Sequence, residues 1–182
     1  MSRIVLGPGR RLYDIDNLDL SMTSLEEVAD SLSKQCRYNG NTKRYYSVAE
    51  HCWLVAEILI QTPDTTHDDW CWGLLHDAAE AWIGDITAPI KNCLGAAYKE
   101  IESLVDKEVA RRWMPGRKPV DTPFFHHVDK QVAFSTELRD VVKPLGWSVD
   151  AAPHPELSVK GLPPRRAAQL FMDTAEDLWD WP

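Results

Sequence analysis

The stretch Trp72-Gly-Leu-Leu-His-Asp-Ala-Ala-Glu-Ala-Trp-Ile-Gly-Asp85 is apolar and helix-forming, yet it carries one imidazole and three acids. An ionised carboxylate buried without a partner costs several kcal/mol, so acids on such a face are paired, exposed or bound to a metal. The pair His76-Asp77 therefore reads as part of a metal site. Glu80 follows on the same helical face, three and four residues on, and Asp85 lies just past Gly84.

Working outward, about Asp68 to Ile83 is expected to form one helix, with Gly84 placed to stop it. Before it, Ser47-Val48-Ala49-Glu50 looks like a capping box opening a helix on which His51, Leu54, Val55, Ile58 and Leu59 share a face. A similar pattern, Thr23-Ser24-Leu25-Glu26, opens a helix over 23–37. After it, Asp85 to Lys91 reads as a loop, and Leu94, Ala97, Ile101, Leu104, Val105 and Val109 mark a long helix to about Trp113. Asp121-Thr122-Pro123 offers a cap and a first-turn proline for a helix with Phe125, Val128, Val132 and Leu138 inward and Asp129 beside them. Residues 143–162 are irregular, and Pro163-Pro164 starts a last helix through Leu170, Phe171, Thr174 and Leu178. No alternating strand pattern exceeds a few residues. The expectation is an all-α, compact helical bundle: one domain over 1–182, with its core at about 24–140 and a C-terminal loop and helix at 143–182.

Composition narrows the function. Twenty Lys and Arg against 28 Asp and Glu give a formal charge of -8, which argues against a long nucleic acid or an anionic membrane as partner. A small anionic substrate remains open if cations gather locally. Cys36, Cys52, Cys71 and Cys93 form no Cys-x-x-Cys pair and read as reduced core thiols rather than zinc ligands. No apolar run approaches the ~20 residues of a membrane span, and the N-terminus is too short for a signal peptide, so a cytoplasmic protein is expected.

Candidate ligands thus come from three helices: His51, the pair His76 and Asp77, and Asp129. Two imidazoles and two carboxylates suit Mn, Fe, Co, Ni or Zn better than Ca or a thiolate-preferring metal, and leave positions for water and a substrate oxygen. Glu80 is well placed to orient that water or act as general base.

In order, His51, His76-Asp77 and Asp129 match the H…HD…D signature of HD-domain phosphohydrolases. Arg37, Tyr45-Tyr46-Ser47-Val48-Ala49-Glu50-His51, His76-Asp77-Ala78-Ala79-Glu80 and Gly84-Asp85-Ile86-Thr87-Ala88-Pro89-Ile90-Lys91 resemble the 5′-deoxynucleotidase branch, which includes phage dATP triphosphohydrolases. The resemblance covers about 24–140 and implies an HD fold, a divalent metal on His51, His76, Asp77 and Asp129, and hydrolysis of a deoxynucleoside phosphate ester. By position it implies that Glu80 and Asp85 handle the attacking water and the leaving-group proton, and that Arg37 and Lys91 hold phosphate. Tyr38 is a candidate for base stacking. Lys43, Arg44 and His126 are candidates for a longer phosphate chain, and a second divalent ion could accompany the phosphates. The expected partner is a small deoxynucleotide, monophosphate or a triphosphate such as dATP, with no long nucleic acid and no membrane. Assembly into a homo-oligomer is expected because eight tryptophans in 182 residues leave apolar surface to bury. Two other readings stay open: a phosphodiesterase or nuclease acting on nucleic acid, and a nucleotide sensor that binds without cleaving.

Overall fold

A computed structural model describes residues 3–142 and 149–179. The helices are α1 (Leu25–Ser33), α2 (Val48–Ile60), α3 (His67–Leu75), α4 (Glu80–Ile83), α5 (Ala88–Leu94), α6 (Ala96–Trp113), α7 (Pro123–His127), α8 (Phe134–Glu137) and α9 (Pro164–Leu178). Wider π-helical turns over Val128–Ala133 and Leu138–Val142 run on from α7 and α8. The fold is all-α, as the periodicity predicts, with one small addition. Ile4–Gly7 (β1) and Arg11–Asp14 (β2) pair antiparallel, with Val5 opposite Tyr13 and Leu6 opposite Leu12.

The centre of the bundle is α2, nearly all of which is buried and which packs on α1, α3 and α9. Its contact with α3 is close because Gly73 has no side chain: a Cβ there would lie 3.1 Å from the Ala56 Cα. That approach sets His51 on α2 beside His76 at the end of α3. The small sheet braces the same region from outside, since Tyr13 meets Trp82 edge-to-face at 5.8 Å. The glycine at position 7 leaves room for the indole, whose Cδ1 would stand only 2.6 Å from an added Cβ.

Several local expectations shift, each for a visible reason. The first capping box is one residue later than expected, Ser24 with Glu27, so α1 begins at Leu25 and ends at Ser33 rather than near Arg37. At α2 the box is only half made. Ser47 accepts from the Glu50 backbone, but the Glu50 carboxylate is taken by the backbone N–H groups of Lys160, Gly161 and Leu162. The single helix expected over 68–83 is two: between α3 and α4 the hydrogen bonds tighten to three-residue turns, Ala78 to Leu75 and Ala81 to Ala78. The Gly73 carbonyl, which would serve the helix ladder, accepts from His76 Nδ1 at 2.8 Å. Lys91 stands on a helix rather than in a loop, and Gly95, at φ 64°, separates that helix from α6.

Residues 149–163 are irregular as expected, while 143–148 lie outside the described residues. Side chains hold this segment: Arg139 donates to the His154 and Leu157 carbonyls, and Asp140 accepts from the Val159 N–H. The four cysteines are free, but only Cys52 and Cys71 are core thiols; Cys36 and Cys93 are exposed.

Candidate metal centre and active site

Four side chains from three parts of the chain converge. His51 Nε2 lies 3.4 Å from Asp77 Oδ2 and 3.3 Å from Asp129 Oδ1, and His76 Nε2 lies 3.4 and 3.7 Å from the same two oxygens. Both Nε2 atoms are buried without a hydrogen-bond partner among the described residues. An orphaned polar atom of this kind normally costs 1–3 kcal/mol, roughly, and needs a reason. The other nitrogen of each ring supplies it. His51 Nδ1 faces Glu137 Oε1 at 2.6 Å, and His76 Nδ1 donates to the Gly73 carbonyl, so each ring turns Nε2 inward. Metal-binding histidines are held in this way, by a carboxylate or carbonyl on the far nitrogen. His51, His76 and Asp77 alone already form a group able to hold an ion, and Asp129 Oδ1 adds a fourth donor atom next to both imidazoles.

The local charges suit a cation. Burial works against ionised Asp77 and Asp129, yet the two imidazoles, with Arg37, hold both carboxyls below the usual range. Burial and Arg37 also oppose a charged His51, but Glu137 and Asp129 outweigh them and hold that ring's proton up to about 9. A metal taking Nε2 displaces this proton. Metal affinity of the free chain is therefore expected to rise about tenfold per pH unit through neutrality and level off above about 9, with proton release on binding. Calorimetric Mn2+ titrations in buffers of different ionisation enthalpy check this; an affinity independent of pH from 7 to 9 would refute it.

Around the four donors stand the remaining candidates. Arg37 follows the short bridge between Cys36 and Ser47, and its Nη1 donates to Asp77 Oδ2 at 3.1 Å. Glu80 is buried; its Oε1 is 3.2 Å from Lys91 Nζ and its Oε2 lacks a hydrogen-bond partner among the described residues. Burial first, then Asp77 and Asp85, raise its carboxyl well above the usual range, against the pull of Lys91 and Arg37. Asp85 is raised too, mainly by burial. Tyr38, at φ 57°, reaches Glu137 with its hydroxyl, and its ring lies 6.3 Å from that of Phe134, nearly parallel. The structure does not bring Lys43 or His126 into this group. Lys43 is exposed, and His126 Nε2 meets Asp121 at 2.6 Å. Arg44 is also exposed and lies over Gly161.

Three contributors escaped the sequence reading. Gln35 clamps both ends of the α4 turn, donating to the Glu80 carbonyl and accepting from the Asp85 N–H. Glu102 on α6 holds Lys91 Nζ at 2.9 Å. Glu137 sits behind His51.

Comparison with known proteins identifies the family. Residues 29–116 match the HD domain family. A protein called uncharacterized protein YfdR, from Escherichia coli, is 31% identical over 182 residues, which is 98% of this chain and 96% of that protein. The chain belongs to the HD-domain family. An uncharacterized protein of Rhodobacter capsulatus is 34% identical over 108 residues, 58% of this chain and 55% of its own length. HD domains bind divalent metals and are typical of metal-dependent hydrolases, in keeping with the His51, His76 and Asp77 cluster. No helix among the described residues is long and apolar enough to cross a membrane.

Proposed function

We propose that this HD-domain protein is a metal-dependent phosphohydrolase of 2′-deoxynucleotides, taking a monophosphate or a triphosphate such as dATP. The observation that carries the reading is the pair of buried, unpartnered Nε2 atoms facing Asp77 and Asp129, with Glu80 and Lys91 in contact beside them. Such a donor set suits Co, Mn, Zn, Fe or Ni. A bound divalent ion would polarise a phosphoryl oxygen and lower the pKa of a water toward ~7.

The chain's own residues do the rest. Arg37 presents a guanidinium beside Asp77, and Lys91 an ammonium beside Glu80, so two cations are available to offset charge on a transferring phosphoryl group. Glu80, whose carboxyl is raised well above the usual range by burial, Asp77 and Asp85, is placed to give a proton to the leaving oxygen as water adds to phosphorus and the P–O bond breaks. Asp85, its backbone N–H held by Gln35, orients the water and takes the proton that it loses on adding to phosphorus. Tyr38 forms an aromatic wall with Phe134 against which a base could stack.

Incubation with Mn2+ or Co2+ and a panel of dNMPs and dNTPs, with orthophosphate resolved from triphosphate, tests the reading. Metal-dependent release of one of these products from a deoxynucleotide is expected. Turnover of no nucleotide, or of oligonucleotides only, overturns it.

A further inference from the structure

Glu137 is fully buried at the end of α8, and nothing in the proposed chemistry asks it to touch metal or substrate. A carboxylate in that position costs several kcal/mol unless its surroundings compensate. They do so from every side. Oε1 is met by His51 Nδ1 at 2.6 Å and by the Tyr46 hydroxyl at 2.7 Å, Oε2 by the Tyr38 hydroxyl, and Arg37 Nε lies 3.7 Å from Oε1. The two hydroxyls donate to the carboxylate and Arg37 stands beyond hydrogen-bond distance as a neighbouring positive charge, so the carboxylate is ionised and accepts from the ring nitrogen as well. The contact with His51 then has one sense: Nδ1 carries a proton and donates it to Glu137, and Nε2, facing Asp77 and Asp129, is the nitrogen a metal would take.

We propose that Glu137 is a positioning residue that orients His51 for a divalent metal through Nδ1, while Tyr38, Tyr46 and Arg37 fix the carboxylate itself. The inference deepens the metal-dependent reading above, but its own steps need no nucleotide. The negative charge matters as well as the place, because a carboxylate behind the ring makes Nε2 a more basic donor.

The test is an equilibrium titration of the full chain with Mn2+ alone, followed by electron paramagnetic resonance of the free ion, on the unaltered protein, Glu137→Gln and Glu137→Asp. The Gln variant keeps the volume and an acceptor oxygen but removes the charge; its affinity is expected to fall about 10- to 100-fold. Asp keeps the charge on a shorter arm and is expected to fall less than Gln. A role in packing alone predicts the opposite order, since Gln preserves the shape and Asp does not. An affinity for Gln within about threefold of the unaltered chain, or Asp weaker than Gln, overturns the proposal.

A second measurement holds even if neither variant folds. Nitrogen-15 spectra of the unaltered, Zn2+-loaded chain should place the His51 proton on Nδ1. A proton on Nε2 would overturn the proposal. Failure of the unaltered protein to hydrolyse nucleotides would instead sink the proposed function and leave this inference in place.

Discussion

Replacing Glu80 by Gln is expected to lower turnover by about 10²- to 10⁴-fold while the chain stays folded and keeps its Mn2+ affinity within a few fold. The asymmetry follows from where the group sits. Glu80 is buried, with burial, Asp77 and Asp85 all favouring its protonated form. Gln copies the shape of a protonated Glu and keeps an oxygen for Lys91 Nζ, so the packing of α4 and the place of Lys91 survive. What it lacks is a proton to give. Removing a buried, poorly solvated acid carries no folding cost of its own, so thermal stability should stay the same or rise. Steady-state kinetics at saturating metal, with a melting curve for each protein, read both quantities. A Gln variant retaining more than about a tenth of the activity would remove Glu80 from the chemistry.

The sequence exposed the metal donors better than their supports, and the reason is physical. His51, His76 and Asp77 are conspicuous because polar groups on strongly apolar helices demand an explanation. Glu137 is not: it stands in Ser-Thr-Glu-Leu-Arg-Asp, which reads like a solvated helix face. A signal was nonetheless present. Asp129, Ala133 and Glu137 recur every four residues, and the latter two are fully buried, so the stripe that carries the ligand also carries its support. The β-hairpin was hidden by an inverted pattern. Ile4, Leu6 and Leu12 point to solvent while Gly7 and Tyr13 turn to Trp82, so the usual apolar-in, polar-out alternation is missing. The division between α3 and α4 depends on a hydrogen bond from His76 to Gly73, a tertiary choice that helix propensity does not record. Charge and nearness in sequence alone point to Lys43 and His126, and neither signal specifies a place: the one is exposed and the other meets Asp121.

Glu50 leads to the largest expected effect on stability. It lies next to His51, is fully buried, and looks in sequence like the second half of a capping box. Its carboxylate instead accepts from three successive backbone N–H groups, Lys160 at 2.7 Å, Gly161 at 3.0 Å and Leu162 at 2.7 Å. These bonds pin an irregular segment onto α2 at the point where Gly161, with φ 68°, passes Arg44 and the Tyr45 carbonyl too closely for any side chain. An Ala at position 50 would leave the three donors without their acceptor and open a void beneath them. At about 1–3 kcal/mol for each unsatisfied donor, partly relieved by water, a loss of about 3–5 kcal/mol is expected. Against a typical total of 5–15 kcal/mol, roughly, this is severe, and the melting temperature should fall by about 10 °C. Gln should lie between, because one of its two ends is an amide that faces an N–H with another donor. Because His51 shares the turn that Glu50 anchors, metal affinity should fall together with stability in the Ala variant, and saturating Mn2+ should recover part of the lost melting temperature. A Glu50→Ala protein that melts within about 2 °C of the unaltered chain would show that the C-terminal segment is held by other contacts, those of Arg139 and Asp140 first among them.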